Sequence, residues 1–330
     1  MTEAKEAKGS NGMIAGSNLE KVLRAGHFAA TGELGPPTHA DPSVIDEKAE
    51  HLKGVVDAVN ITDNQTAVVR MSSIAVGNML IEKGIEPVIQ MTARDRNRIA
   101  IQSDLLGAWG LGARNLLCLT GDHQTFGNHP GAKGVYDMDS ISMLAMVRDM
   151  GEKGIVQSGD EMKVPPTFFV GAAANPFAPP YEYRPYRLAK KVQAGAKFIQ
   201  TQIVFNVERF AEFMKRAGDL GILDDVYVLA GVSPIKSSGA AWYMANKVPG
   251  LEVPDELVQR MKDAVKGIPK EEKAARREAQ RKEGIQICVD IINQVREIPG
   301  VAGVHIMAIE WEEAVPVITE KAGLLPRPIV

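Results

Sequence analysis

Polar residues end a series of apolar runs along this chain: Glu33 in GELGPP, Asn60 and Thr62 in VNITD, Gln90 and Thr92 in IQMTARD, Asp122 in LTGDH, Asn175 in GAAANPF, Gln202 in QTQIVF, Ser233 in GVSP and Glu310 in HIMAIEW. Most are amides and hydroxyls, which suit hydrogen bonding to a planar heterocycle better than gripping a phosphate or a divalent metal. Glu33 and Asp122 are the acidic residues that invite a chemical role. Glu33 stands between an apolar run and Gly-Pro-Pro, a stiff turn that fixes a carboxylate in place. A carboxyl in an apolar pocket keeps its proton near neutral pH and can act as a general acid. The plainer role for Glu33 is to cap the next helix or to pair with Arg94. Asp122 follows Thr120 and Gly121, where glycine lets a ligand approach the backbone. Its plainer role is an Asx-turn that opens a long loop.

Other chemistry is poorly served. His123 and His129 could join Asp122 around a metal, but their spacing matches no defined site and HExxH is missing. His305 lies inside an apolar run, where a hydrogen-bonded core role is expected. GxGxxG after the first strand, GxxxxGK[ST] and GxSxG are all missing, which disfavours a Rossmann dinucleotide site, a P-loop and an α/β-hydrolase. The two cysteines, Cys118 and Cys288, fall in apolar runs without metal or disulfide spacing.

The elements that must position these residues recur regularly. FAATGEL (28–34), VVDAVNI (55–61), PVIQM (87–91), NLLCL (115–119), TFFVGAA (167–173), FIQTQIV (198–204), VYVLAGV (226–232) and VAGVHIM (301–307) read as buried strands. Between them apolar residues return at three- and four-residue spacing, as in Val68, Met71, Ile74, Ala75, Met79 and Leu80, which is helical. Near-continuous apolar strands alternating with helices form a parallel sheet covered on its outside, and eight such units close into a (β/α)8 TIM barrel. A doubly wound open sheet is the alternative. One barrel domain is expected over 18–330, after a flexible start at 1–17. The loop 121–139 exceeds an ordinary βα turn and should cover a site. The charged stretch 270–284 leads into the stripe Ile285, Cys288, Ile292 and Val295, which reads as an exposed helix start that then docks.

Thirty-eight basic against 41 acidic residues, net −3, give no field for nucleic acid or a membrane surface. No apolar run approaches a membrane span, and the opening MTEAKEAKGSNG has no apolar signal core, so a cytoplasmic protein is expected.

Glu33 with Pro36 and Pro37, LTGDH around Asp122, LAKKVQAGAKFIQTQIVFNVERF (188–210) and AGVSPI (230–235) together resemble, in this order, the methylenetetrahydrofolate reductase family. The resemblance runs from about residue 18 to the C-terminus. It implies a flavin, FAD or FMN, and reduction of 5,10-methylenetetrahydrofolate to 5-methyltetrahydrofolate by hydride from flavin N5. Glu33 would be the general acid that opens the methylene-bridged ring. Asp122 would sit near the flavin pyrimidine and the pterin, and Gln202 would bind the folate. Thr62, Thr92, Gly121, Tyr136 and Asp137 would lie against the cofactor, with Lys191 on its phosphate and no metal in the site.

Some positions depart from the family pattern. Ser238 stands where many relatives carry an aromatic that stacks on a pyridine nucleotide, Ala172 and Asn175 replace features after the fifth strand, and Trp311 replaces an arginine that meets the folate tail. The resemblance is to versions from anaerobic one-carbon pathways, so the expected electron donor is a partner redox subunit rather than NAD(P)H, in a possible oligomer. Two rivals stay open: a non-catalytic flavin- or folate-binding subunit of an electron-transfer complex, and a metal-dependent barrel hydrolase using His123, His129 and Asp122.

Overall fold

A computed structural model describes residues 12–330. Eight strands, β1 (Ala29–Leu34), β2 (Ala58–Ile61), β3 (Pro87–Thr92), β4 (Asn115–Leu119), β5 (Phe169–Ala174), β6 (Phe198–Ile203), β7 (Tyr227–Val232) and β8 (Val301–Ile306), pair in parallel in chain order. β1 pairs with β8, placing Thr31 opposite His305, so the sheet closes. That contact sets aside the open doubly wound sheet. The helices are α1 (Asn18–Arg24), α2 (Ser43–Leu52), α3 (Ser73–Glu82), α4 (Arg98–Gly110), α5 (Ser140–Glu152), α6 (Arg184–Gln193), α7 (Val207–Asp219), α8 (Ser238–Lys247), α9 (Asp255–Asp263), α10 (Lys273–Arg296) and α11 (Val315–Lys321). Among the described residues no helix is long and apolar enough to cross a membrane.

The barrel interior changes character along its axis, because alternate residues of each strand face inward. At the amino ends Ala29, Ala58, Val88, Leu117, Phe169, Phe198 and Leu229 form an apolar floor, against which α1 lays Leu19, Val22 and Leu23. Phe169 and Phe198 stack at 5.2 Å. Gly171 has to be glycine here, since a Cβ would fall 2.4 Å from the Phe198 ring. Two residues further along, the facing groups turn polar on five of the strands, β1, β2, β3, β6 and β8: Thr31, Asn60, Gln90, Gln200 and His305, all buried.

Two carboxylates seat α1 beneath this floor. Glu20 accepts from the backbone N–H groups of Ile14, Ala15 and Gly16 and from Arg24. Glu86 accepts from the N–H groups of Asn18 and Leu19 and from Asn115. The expected flexible start therefore divides: residues 1–11 lie outside the described residues, whereas 14–16 are hydrogen-bonded to α1. The C-terminal segment returns to the same end, where Arg327 pairs with Asp57 at 2.5 Å and also donates to the Phe28 and Leu324 carbonyls.

Several strand limits differ from the sequence expectation. Residues 55–57 belong to the turn before β2, with Asp57 turned to Arg327 and to the Ala30 N–H. Both cysteines are buried, and burial pushes their thiols up. α10 carries the charged stretch from Lys273 onward and the docked stripe as one helix, with Ile287, Cys288, Ile291, Ile292 and Val295 buried, while residues 270–272 precede it.

Candidate functional site

At the carboxyl ends of the strands a cavity of about 430 Å³ opens, lined by Glu33, Gln90, Gln200, Gln202, His305 and the basic face of α6, among others. Glu33, the penultimate residue of β1, has its side chain 12% exposed, and its carboxylate lies 3.5 Å from His305 Nε2. The cavity tempers the expectation of an apolar pocket, because it sets amides and an imidazole among apolar side chains such as Leu117, Leu119, Leu188, Phe213 and Met307. The geometry also removes the expected pairing with Arg94, whose guanidinium is held by Asp95, the Asn64 carbonyl and the Asp122 carbonyl.

Beneath Glu33 runs a chain of buried hydrogen bonds. Asn60 and Gln200 exchange amide bonds of 2.6 and 2.9 Å, Gln200 Nε2 donates to Thr31 Oγ1 at 3.2 Å, and Thr31 Oγ1 lies 3.0 Å from His305 Nδ1. Buried polar groups without partners cost free energy, so such a network orders its members as a set. Gln202, two residues along β6, folds its Oε1 back to the Ile203 N–H at 2.9 Å.

α6 supplies the basic wall. Its residues Arg184, Arg187 and Lys191 recur at three- and four-residue spacing and all line the cavity. Lys191 is buried against the Ala173 carbonyl. Burial, with Arg187 nearby, pushes its ammonium down to about 8. Arg184 is spent on the carbonyls of Ala178 and Pro179.

The remaining expected residues form the β2 to β4 side of the mouth. Thr62 is buried, and its hydroxyl has no hydrogen-bond partner among the described residues. Thr92 donates its N–H and its hydroxyl to Asp63, at 2.8 and 2.9 Å, and Arg96 grips the same carboxylate at 2.6 Å. Gly121 has φ +90°, and a Cβ there would press on the Cβ atoms of Arg94 and Thr92, so the chain crosses close over β3. Asp122 is exposed and does not line the Glu33 cavity, and its carbonyl accepts from the Tyr136 hydroxyl at 3.1 Å. Asp137 takes a two-point grip from Arg98, which holds its carboxyl down to about 2. Glu33, Gln202 and Lys191 thus share one cavity; Thr62, Gly121, Asp122, Tyr136 and Asp137 belong to the loops beside it, with Thr92 at the end of β3.

Backbone strain gathers in the same region. Asn64, Thr66, Ala67, Tyr136 and Glu310 are the non-glycine residues with positive φ among those described, and all sit in loops after β2, β4 or β8. Strain of this kind persists where surrounding structure over-determines it, often at functional sites.

Other expectations resolve differently. His123 bonds Thr125 and His129 bonds Asn128, both on the exposed loop. Among the described residues no three His, Cys, Asp or Glu side chains gather as a metal cluster would. Ser233 donates to the Met307 carbonyl, Asn175 holds the Gly250 carbonyl and the Phe177 N–H, and Ser238 accepts from Gln280. Trp311 is buried under Arg281 rather than turned to the mouth. Asp63, Arg96, Arg187, Gln200 and the contact of His305 with Glu33 were missed by sequence reasoning. Only the period-two spacing of Gln200 and Gln202 and the Arg-Asp-Arg run 94–96 pointed toward any of them.

Fold and site together define a (β/α)8 barrel with an acid-bearing, amide-lined mouth flanked by a cationic helix. The chain belongs to the methylenetetrahydrofolate reductase family, whose model matches residues 18–323. It is 26% identical over 265 residues to a probable methylenetetrahydrofolate reductase (NADPH) of Caenorhabditis elegans, a match covering 79% of this chain and 36% of that protein. It is 27% identical to methylenetetrahydrofolate reductase 2 of Schizosaccharomyces pombe, covering 74% and 36%. With 5,10-methylenetetrahydrofolate reductase of Pectobacterium carotovorum it shares 23% identity, over 74% of this chain and 72% of that one. The chain thus spans about a third of the length of the first two relatives. An uncharacterised Clostridium thermocellum protein, solved with two copies of 5-methyl-5,6,7,8-tetrahydrofolic acid, shares the fold at TM-score 0.65 and 13% identity, over 93% of this chain and all of that one.

Proposed function

We propose that this barrel binds a flavin and reduces 5,10-methylenetetrahydrofolate to 5-methyltetrahydrofolate, with Glu33 as the general acid. The observation that carries the reading is the meeting, in one cavity, of a single carboxylate, several amides and a basic helix face. Family membership supports it, and so does the methyltetrahydrofolate bound by the C. thermocellum barrel.

The residues suit a flavin. Thr62 offers a buried hydroxyl that lacks a partner among the described residues, and Gly121, whose positive φ suits glycine, carries the backbone after β4 close over β3, where it would lie beside the ring. Arg187 makes no hydrogen bond or ion pair with any described residue and stands beside Lys191, so the two would hold a phosphate. When bound, the flavin supplies hydride. Opening the methylene-bridged ring needs a proton on the departing nitrogen, and Glu33 gives it. Gln202, its Oε1 engaged with the Ile203 N–H, turns its amide hydrogens to the folate. Asp122 holds the amide edge of the pterin and keeps negative charge beside the flavin pyrimidine. Thr92, Tyr136 and Asp137 fix the loops against the cofactor through Asp63, the Asp122 carbonyl and Arg98.

Flavin retention tests the basic wall. Lys191→Ala weakens flavin binding by about 1.5–3 kcal/mol, the worth of a charge-assisted contact. In the unsubstituted protein affinity falls as pH rises through about 8, because Lys191 then loses its proton and its charge. The variant loses that pH dependence. Unchanged affinity in Lys191→Ala, measured by fluorescence titration of the apoprotein, would show that the phosphate lies elsewhere.

A partner redox subunit delivers the electrons in this reading. Ser238, at the start of α8, is bonded to Gln280 and presents no ring to a nicotinamide. The isolated chain is therefore reduced quickly by a low-potential dye and slowly by NADH. Rapid, saturable reduction at micromolar NADH without a partner would overturn this.

A further inference from the structure

We propose that His305 is a positioning residue for Glu33, holding its Oε2 so that Oε1 is the oxygen that carries the proton into the cavity. The proposal rests on the reading of Glu33 as the acid. His305 sits on β8 opposite Thr31 of β1, with its side chain 4% exposed. Its Nε2 faces Glu33 Oε2 at 3.5 Å and its Nδ1 faces Thr31 Oγ1 at 3.0 Å. The charged groups that share the cavity with it are Glu33, Arg184, Arg187 and Lys191.

The direction of each bond follows from its neighbour. The reciprocal amide pair of Asn60 and Gln200 turns Gln200 Nε2 toward Thr31, so Thr31 Oγ1 already accepts one hydrogen bond. The hydroxyl has a single proton to give and two acceptors, His305 Nδ1 at 3.0 Å and the Val304 carbonyl at 3.5 Å. The shorter contact wins, because hydrogen bonds weaken with distance. A neutral imidazole that accepts at Nδ1 carries its proton on Nε2, directed at Glu33.

This arrangement suits both states of the acid. Ionised, Oε2 accepts the Nε2–H; protonated on Oε1, the carboxyl still accepts the same bond at its carbonyl oxygen. The imidazole gains and loses no proton, and the proton that Glu33 gives to the folate nitrogen leaves from Oε1. The 3.5 Å separation is long for a hydrogen bond, as is common at catalytic sites before a ligand closes them.

Ring nitrogen shifts of the ¹⁵N-labelled apoprotein provide a test independent of turnover. The unsubstituted protein shows His305 as the Nε2–H tautomer, and Thr31→Val, which removes the hydroxyl while keeping the shape, abolishes that single-tautomer signature. An Nδ1–H tautomer, or shifts indifferent to Thr31→Val, overturns the directional chain. Turnover of methylenetetrahydrofolate by pre-reduced holoenzyme gives the second test. His305→Ala slows it up to about 100-fold, the cost of misplacing a reacting group by about 1 Å. His305→Gln, which can return an N–H near the Nε2 position, recovers part of the loss. In the Glu33→Gln background His305→Ala adds nothing, because groups acting as a unit are not additive. Equal slowing in both backgrounds overturns the proposal. If Glu33→Gln alone turns over at the unsubstituted rate, the acid reading has failed, while the nitrogen shifts still judge the hydrogen-bond chain by themselves.

Discussion

Glu33→Gln slows conversion of methylenetetrahydrofolate by the reduced holoenzyme about 10²–10⁴-fold, the range of general acid catalysis, and leaves flavin retention unchanged. Glutamine keeps the size of the side chain and its place between β1 and the Gly-Pro-Pro turn, so what it removes is the transferable proton. In the proposed reading flavin binding draws on Thr62, Arg187 and Lys191, none of which makes a hydrogen bond to Glu33. Single-turnover mixing of pre-reduced enzyme with substrate separates the chemical step from reduction by the donor. Conversion at the unsubstituted rate would return Glu33 to a structural role and move the proton source to Asp122 or water. A chain that retains flavin yet converts no substrate with any donor would instead be the non-catalytic subunit.

The second large effect concerns stability. Arg327→Ala destabilises the fold by about 3–5 kcal/mol, because removing one partner of a buried pair leaves the other charge uncompensated. Asp57 is 1% exposed at its side chain, and of its partners only the Ala30 N–H survives the change. The Phe28 and Leu324 carbonyls lose their donors as well. Urea titration reads the effect as a lowered midpoint with an unchanged slope. Combining Arg327→Met with Asp57→Asn recovers much of the loss, since the asparagine oxygen can still accept from Ala30 while no buried charge remains. A loss below about 1 kcal/mol for Arg327→Ala, the worth of an exposed pair, would mean that water reaches this end of the barrel.

The architecture was legible in the sequence for a physical reason. A strand buried on both sides must be apolar throughout, and a helix packed on one side must be apolar at its own period, so the eight alternations announce themselves. The polar residues that end those strands could be found the same way, and Glu33 and Gln202 do share a cavity, which Lys191 of α6, indicated by the family resemblance alone, also lines. What faces them could not. Gln200 meets Asn60 across 140 residues and Thr31 meets His305 across 274. Nothing in local spacing encodes such pairs, which exist only because the sheet closes. For that reason the apolar setting of Glu33 could be read in the sequence, while the amides and the imidazole that share its cavity could not. Arg94 likewise looked free to pair with Glu33, but the loops after β2 and β4 fold over it. The loop 121–139 was visible as too long for a turn, while its dependence on Arg94 and Arg98 was not.

The two carboxylates that seat α1 respond to acid in opposite senses. Burial works against ionisation of Glu20, but its backbone donors and Arg24 outweigh it and hold the group below the ordinary value of 4.5. Burial dominates at Glu86, whose donors do not offset it, and the group lies above that value. A glutamate lowered in the fold contributes stability above its unfolded value and loses it as pH falls through the folded one. A raised glutamate contributes stability that is complete below its unfolded value and is lost as pH rises through the folded one. On acidification Glu86 therefore strengthens the closure of the barrel before Glu20 begins to weaken it. The floor beneath the cavity is built to tolerate mild acid, and it loosens as the pH falls below the ordinary glutamate value.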